Sequence, residues 1–192
     1  MEKSIKRTFN SYTHTTKSKK SIQIFDNVFG YQKQIQLIKW ILRQNFTFNI
    51  ANDAVLTDQK SNINLSSKVI WTRDEYIERF ELESIEPIFE KIKDKRLSRC
   101  WINASTGNHV PRYHPDNFSE NSTTILYYVN LKWDIDWDGQ TIFRSDDMKD
   151  IEYVNDFVPG RLCMFDSSIP HKGTIPNNQA PTFRFTLNST WE

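Results

Sequence analysis

Cysteine is scarce in this chain, and its scarcity bears on both stability and compartment. Only Cys100 and Cys163 occur among 192 residues, which is too few for a disulfide framework. The two cysteines lie far apart in sequence, each among apolar residues, so we expect two buried free thiols. Such thiols are typical of a reducing compartment, and the sequence therefore predicts a cytoplasmic protein.

Long apolar runs and an excess of one charge are also missing. No run approaches the roughly 20 apolar residues that a membrane helix needs, and no hydrophobic segment of a secretory signal follows the basic start. The chain has 25 Lys and Arg against 24 Asp and Glu, so neither a membrane nor a nucleic acid is an expected partner. Glycine and proline are not enriched, and an aromatic content of 14% suits a packed core.

The first twenty residues differ from the rest of the chain. They carry six Lys or Arg against one Glu, together with many Ser and Thr. We predict that residues 1–20 are a basic, mobile tail, in preference to a segment that binds an anionic partner. The length of the remainder fits a single domain, which we place at residues 21–192.

Helical patterns come early in this domain and short strands come late. Residues 21–29 read as a strand, and residues 31–45 have the apolar spacing of a helix. The polar stretch 57–67 reads as a surface loop, and a second helix is predicted within residues 85–96. From residue 97 onward, short β-rich runs alternate with turn signals. This order predicts an α+β protein in which helices support a β-sandwich or barrel.

A metal site is the main chemical candidate. His114 and Asp116 stand two residues apart in YHPD, and an extended segment directs such residues to one face. A turn with a His–Asp hydrogen bond explains the pair equally well. His171 adds a third ligand after a predicted strand, and two histidines with one carboxylate can form the facial triad of non-haem Fe(II) sites. His109 is a candidate fourth ligand of a zinc site, although we favour exposure to solvent or a substrate contact.

An arginine in the last β-rich run is a candidate anion ligand. In TFRFTLN, Arg184 and Thr186 share one face of the predicted strand. The guanidinium group suits a carboxylate in bidentate geometry, and the threonine hydroxyl can add a hydrogen bond. An arginine that reaches solvent at a sheet edge, or that pairs with a nearby aspartate, is the alternative.

Taken in order, these motifs resemble a known enzyme family. A His-x-Asp motif is followed by a tyrosine-rich strand, a Pro-Gly-Arg turn before an aromatic strand, a second histidine and an arginine. This is the pattern of the Fe(II)/2-oxoglutarate dioxygenases of the prolyl 4-hydroxylase type. The resemblance is close over residues 97–192 and loose before them. The matching segments are YHPD (113–116), ILYYVNLKW (125–133), DGQTIF (138–143), PGRLCMFDSSIPHKG (159–173) and RFTLN (184–188).

The resemblance implies both a fold and a reaction. The fold is a double-stranded β-helix, a jelly-roll with N-terminal helices packed on one sheet. The reaction uses Fe(II), 2-oxoglutarate and O2, with ascorbate as a reductant, and it hydroxylates an unactivated C–H bond with release of succinate and CO2. By similarity, His114, Asp116 and His171 bind Fe(II), and Arg184 binds the distal carboxylate of 2-oxoglutarate. The implied substrate is a small molecule or a peptide, for example a prolyl or other amino-acid residue.

Three further residues are cosubstrate candidates by the same resemblance. Tyr128 matches a tyrosine that donates to the distal carboxylate, and an ordinary core tyrosine is the alternative. Asn103 is a weaker candidate for a contact with 2-oxoglutarate, and Thr186 is a candidate because alternation places its hydroxyl on the face of Arg184.

One departure from the family pattern affects the arginine. The interval from His171 to Arg184 is long, with residues 176–181 inserted as a loop. If the register of the last strand differs, Lys172 or Arg161 is the fallback cation.

A non-catalytic protein is the rival interpretation. A cupin-like jelly-roll module can hold a metal structurally or bind a sugar. Because a sugar binder needs neither the metal ligands nor the arginine, their joint presence favours the enzyme.

Overall fold

The computed structural model describes residues 9–50, 63–107, 111–119 and 121–192. The described residues form three α-helices: α1 (Tyr31–Ile41), α2 (Arg73–Phe80) and α3 (Glu86–Ile92). They also form eleven strands: β1 (Asn10–Thr15), β2 (Ser21–Asp26), β3 (Thr47–Ile50), β4 (Ile63–Lys68), β5 (Leu97–Ser105), β6 (Thr123–Tyr128), β7 (Thr141–Arg144), β8 (Ile151–Asn155), β9 (Leu162–Asp166), β10 (His171–Gly173) and β11 (Arg184–Trp191). Short 3-10 helices lie at Leu82–Ser84 and Ile135–Trp137.

The strands belong to two sheets. The large sheet has the order β1-β2-β9-β6-β11-β5-β4-β3, and the small sheet has the order β10-β7-β8. All of their described pairings are antiparallel. The predicted α+β class and jelly-roll core are confirmed.

A hydrophobic core lies on each face of the large sheet. The larger core joins the three helices to the sheet, for example through Ile41, Phe80 and Ile88. A smaller core lies between the two sheets, and Phe143 and Phe165 belong to it. The helices therefore pack on one sheet, as the sequence predicted, and the opposite face of that sheet is left for the site.

Strand β6 shows how alternation divides these cores. Tyr127 packs in the core on the helix side, whereas Leu126 and Tyr128 pack in the core between the sheets. All six residues of the strand are buried. Because successive side chains point to opposite faces, this strand contributes side chains both to the core beneath the helices and to the space that holds the site.

Helix α2 was not predicted, although its sequence carries a start signal. The Thr72 side chain accepts a hydrogen bond from Glu75 N, and the Glu75 carboxylate accepts one from Thr72 N. This is a capping box, the T-x-x-E pattern that begins many helices. Tyr76, Ile77 and Phe80 then form the buried face of the helix.

Two predictions for polar segments need correction. The loop predicted at residues 57–67 is wrong for its second part, because residues from Ile63 onward form strand β4, which pairs with β5. Residues 57–62 lie outside the described residues. The mobile tail predicted at residues 1–20 is wrong for residues 10–15, which form β1 and pair with β2 along its full length. The side-chain composition of residues 10–15 favours disorder, but backbone hydrogen bonds to β2 order this segment.

The cysteine prediction is confirmed, since Cys100 and Cys163 are both free and buried. None of the described helices is long and apolar enough to cross a membrane.

Candidate metal and cosubstrate site

His114 and His171 are held together by their own backbones. The two residues form an isolated antiparallel bridge, with both N–H···O distances at 3.0 Å. The segment around His114 therefore makes a single bridge to His171 and is not part of a strand. The ring centroids lie 4.9 Å apart, so the bridge brings two imidazoles to one place.

Hydrogen bonds also set the orientation of each ring. The Nδ1 of His114 lies 3.0 Å from the carbonyl oxygen of Arg112, and the Nδ1 of His171 lies 3.0 Å from that of Ile169. A carbonyl oxygen only accepts, so each Nδ1 donates and each Nε2 carries the lone pair. This tautomer is the one that binds a metal through Nε2.

The Asp116 carboxylate lies between the two imidazoles. Its Oδ1 is 3.9 Å from the Nε2 of His114, and its Oδ2 is 3.5 Å from the Nε2 of His171. One ligand atom from each residue lies within 4.8 Å of the other two, and no other group of three such side chains is found among the described residues. The donor set fits a divalent metal that accepts imidazole and carboxylate, and three protein ligands leave other positions open.

Two side chains hold the Asp116 carboxylate and a third contacts one of them, and none of the three was found by the sequence analysis. Arg99 donates to Oδ1, and Thr124 Oγ1 donates to Oδ2 at 2.9 Å. Ser167 lies 2.9 Å from the Thr124 hydroxyl. The Asp116 side chain is only 2% exposed, so these partners balance the cost of burying its charge. Their separation from Asp116 in sequence left no local signal.

Burial lowers the pKa of His171 below its usual value, and the nearby Asp116 carboxylate opposes that shift. The desolvation cost exceeds the attraction of the carboxylate. The imidazole is thereby held in the neutral form that a metal requires.

Arg184 lies deep in the space between the sheets and is 4% exposed. Its Nε donates to Gly139 O at 2.7 Å, and its Nη2 donates to Thr141 Oγ1 at 3.2 Å. Its guanidinium carbon lies 5.2 Å from the ring centre of Phe157. No carboxylate of the described residues pairs with it. A buried charge without a counter-charge is costly, so the site favours an anion from outside.

Gly173 brings Arg184 close to the histidines. A Cβ atom built on Gly173 would lie 3.2 Å from both Nη1 and Nη2 of Arg184. Gly173 and His171 are two residues apart on β10, which separates their backbones by about 6.6 Å. The guanidinium and the His/Asp/His cluster are therefore neighbours along one short strand.

Tyr128 is buried beside the arginine. Its hydroxyl donates to Thr141 Oγ1 at 2.7 Å and accepts from Asn155 Nδ2 at 2.9 Å. The Arg184 guanidinium lies 5.5 Å from the ring centre. Burial raises the pKa of Tyr128, so this hydroxyl stays a neutral donor.

The three weaker candidates form one row across the large sheet. Thr186 of β11 pairs with Asn103 of β5 on one side and with Tyr128 of β6 on the other. Directly paired residues share a face, and Arg184 shares that face because it lies two residues before Thr186. The structure thus brings all four predicted cosubstrate residues to the inner face.

The two fallback cations have other contacts. Arg161 forms a two-point ion pair with Asp26, at 2.6 and 3.1 Å. The Lys172 ammonium lies 4.6 Å from the ring centre of Tyr113. His109 lies outside the described residues.

A cavity of about 370 Å³ opens beside the His/Asp/His cluster. Its lining includes Arg99, Trp101, Asn103, His114, Asp116 and Asn188. Residues of the large sheet and two of the metal-ligand candidates border the same cavity, so a molecule bound here would lie next to the metal.

Comparisons with known proteins agree with this geometry. No protein-family profile matches the chain, and no curated protein does. Solved structures do match. A prolyl hydroxylase from Trichoplax adhaerens, in complex with a peptide of the oxygen degradation domain of hypoxia inducible factor, has a TM-score of 0.61 at 16% identity, over 88% of this chain and 82% of that one.

Two further structures widen the comparison. A 2OG-Fe(II) oxygenase family oxidoreductase from Burkholderia pseudomallei has a TM-score of 0.62 at 13% identity, over 89% of this chain and 84% of that one. HygX from Streptomyces hygroscopicus, with nickel and 2-oxoglutarate bound, has a TM-score of 0.61 at 9% identity, over 88% and 82%.

The chain has the fold of the 2-oxoglutarate–Fe(II) oxygenases. Within an oxygenase fold, the space between the two sheets is where His114, Asp116, His171 and Arg184 meet. The fold and the side-chain geometry therefore both indicate that the candidate site lies between the two sheets.

Proposed function

We propose that this protein is an Fe(II)- and 2-oxoglutarate-dependent dioxygenase that hydroxylates an unactivated C–H bond. The observation that carries the proposal is the pairing of two features on β10. A buried guanidinium without a carboxylate partner among the described residues packs on Gly173, two residues from the candidate ligand His171. A sugar-binding module has no use for this pairing.

In this proposal, His114, Asp116 and His171 hold Fe(II) on one face. The bound metal supplies the redox chemistry that couples decarboxylation of 2-oxoglutarate, by O2, to hydroxylation of the substrate. The fixed Nδ1 hydrogen bonds orient the imidazoles, and Arg99 and Thr124 orient the carboxylate. These contacts pre-organise the ligands before the metal arrives.

Arg184 holds the distal carboxylate of 2-oxoglutarate in the same proposal. The Tyr128 and Thr141 hydroxyls lie beside the guanidinium, and Thr186 and Asn103 continue the polar row toward the cavity. The aromatic ring of Phe157 excludes water from the guanidinium, which strengthens its attraction for an anion.

For the substrate, we propose an amino-acid residue in a peptide, of which a prolyl residue is one example. The support is the Trichoplax adhaerens structure, which binds a peptide, and a cavity open to solvent beside the metal candidates. The two free cysteines support a reducing, cytoplasmic setting for such a partner, and ascorbate fits there as the reductant.

The test is a spectroscopic titration with matched histidine variants. Fe(II) and 2-oxoglutarate are added to the metal-free protein without oxygen, and the metal-to-ligand charge-transfer band is recorded. The wild type and His14→Ala, a change of a β1 histidine that is not part of the cluster, should give the band. His171→Ala should give none, and Arg184→Ala should need a much higher 2-oxoglutarate concentration.

Activity completes the test. Succinate should form on admission of O2, slowly alone and faster with peptides or metabolites that gain one oxygen by mass spectrometry. Absence of both the band and succinate in the wild type would favour the non-catalytic binding module. A wild-type band in His171→Ala would refute the ligand set.

A further inference from the structure

Four rows of paired residues cross the inner face of β5, β11 and β6. The first row contains Arg99, Thr190 and Thr124, and it holds Asp116 through its two outer members. The fourth row contains Arg184, opposite Ser105. The third row is the candidate cosubstrate row of Thr186. The second row, which lies between the Asp116 row and the Thr186 row, has no function in the proposed reaction so far.

Asn188 is the centre of this second row. It pairs with Trp101 on β5 and with Leu126 on β6. Its Oδ1 is buried and has no hydrogen-bond partner. Its Nδ2 also makes no hydrogen bond to the described residues. Buried polar side-chain atoms nearly always have a partner. Asn188 lines the cavity, so rotation of its carboxamide about the Cβ–Cγ bond would present this buried oxygen to a ligand that can satisfy it.

Trp101 complements this carboxamide. It faces Asn188 directly across the strand pair and lines the same cavity. Its indole offers a flat apolar surface, whereas the carboxamide offers one acceptor and one NH2 donor. The pair is thus suited to a flat group that carries a donor and an acceptor side by side.

The charges of the cavity point to an uncharged ligand group. Among the lining residues, the one carboxylate, Asp116, is paired with the guanidinium of Arg99. Among the lining side chains, neither of these two charges is left without a partner. A charged substrate group would therefore lose its hydration without a matched counter-charge.

We propose that Asn188 and Trp101 form a substrate subsite that binds a neutral amide through reciprocal hydrogen bonds and stacks its flat substituent on the indole. The subsite gives the enzyme its specificity for what enters the cavity, and it rests on the proposed function for its place in catalysis. We assign Asn188 to the substrate because it lines the cavity beside the metal candidates, whereas Arg184 and Thr186 do not line that cavity.

The probe is benzamide, with methyl benzoate as its matched ester without N–H donors. Each is titrated into ¹⁵N-labelled protein, first metal-free and then loaded with zinc and 2-oxoglutarate, and the side-chain NH2 resonances of Asn188 are followed. The resonances are assigned by their loss in Asn188→Ala. Benzamide should shift these resonances at millimolar concentration and bind more tightly than the ester.

Two variants and a control separate a specific contact from a structural effect. Asn188→Leu keeps the branched, four-heavy-atom side chain and should weaken benzamide binding about tenfold while leaving the ester unchanged. Asn188→Ala should act in the same direction. Asn10→Ala, an exposed asparagine on β1, should change neither. Melting temperatures of all variants establish that they are folded.

The outcomes that overturn the subsite differ from those that overturn the enzyme. Unshifted resonances, or equal benzamide affinity in wild type and Asn188→Leu, would overturn the subsite. Weaker 2-oxoglutarate binding in Asn188→Leu would do so too, since Asn188 would then contact the cosubstrate. If the wild type does not bind the metal, or shows no charge-transfer band, the proposed dioxygenase activity is refuted. The metal-free benzamide titration would still decide whether Asn188 contacts the amide.

Discussion

Arg99 donates a hydrogen bond to the Asp116 carboxylate. Arg99 belongs to the row of paired residues that lies farthest from Arg184 on the inner face. The same guanidinium group donates through Nε to Thr190 Oγ1 at 3.0 Å, so strand β11 fixes its position. The carboxylate of the His/Asp/His cluster is therefore oriented by the large sheet, although Asp116 itself lies in a connecting segment.

Loss of this orientation should weaken metal binding. We expect Arg99→Met and Thr124→Val each to lower metal affinity or turnover about tenfold, because partners of a ligand typically contribute that much. Competition with a chromophoric chelator measures the affinity. Arg96→Met is the control, since Arg96 is exposed and pairs with Glu192 instead. Unchanged affinity in both Arg99→Met and Thr124→Val would show that Asp116 needs no such support.

Gly173→Ala should weaken 2-oxoglutarate binding while it leaves the metal in place. The new Cβ would lie 3.2 Å from both terminal nitrogens of Arg184, and the guanidinium must move to relieve that contact. Displacement of one charged hydrogen bond corresponds to about a tenfold loss of affinity. Gly107→Ala is the matched control, because its Cβ would meet Asn178 and not Arg184. Equal 2-oxoglutarate affinity in the two variants would contradict the role of Arg184.

Tyr128→Phe and Tyr127→Phe should have different effects. Removal of the Tyr128 hydroxyl leaves Asn155 Nδ2 without its acceptor in a buried place, so we expect a loss of about 1–3 kcal/mol in unfolding free energy and a raised KM for 2-oxoglutarate. Tyr127 lies on the helix side, and its hydroxyl makes no hydrogen bond to the described residues. Tyr127→Phe should leave both quantities nearly unchanged. Urea denaturation and succinate assays measure them, and equal effects would argue against a special role for Tyr128.

The metal-free protein should lose stability as the pH falls below 6.5. Burial lowers the pKa of His171 from 6.5 in the folded state, so the unfolded chain binds more protons in the window below that value. The free energy of unfolding then rises with pH through this window and is lost as pH falls through it. Urea denaturation at several pH values, with a chelator present, should show a flatter dependence for His171→Gln than for wild type. A wild-type slope in His171→Gln would exclude this source.

The sequence predicted the strands most accurately where local pattern is strong. The sequence predicts short β-rich runs from residue 97 onward, and Leu97–Ser105 forms β5, because alternating polar and apolar residues suit a half-buried strand. The polar run before Lys68 has the composition of a loop, but it forms β4 because pairing with β5 supplies backbone hydrogen bonds that composition does not report.

Sequence order and alternation by themselves determined which residues were candidates. They identified His114, Asp116 and His171 as a ligand set and placed Arg184 and Thr186 on one face. Only the tertiary structure decided which of the two candidate arginines, Arg161 or Arg184, has no carboxylate partner among the described residues. Arg161 meets Asp26, which lies 135 residues away in sequence, whereas Arg184 meets hydroxyl, carbonyl and aromatic groups. Local periodicity encodes the direction of a side chain, but the partner of a charge depends on which distant strands the fold brings together.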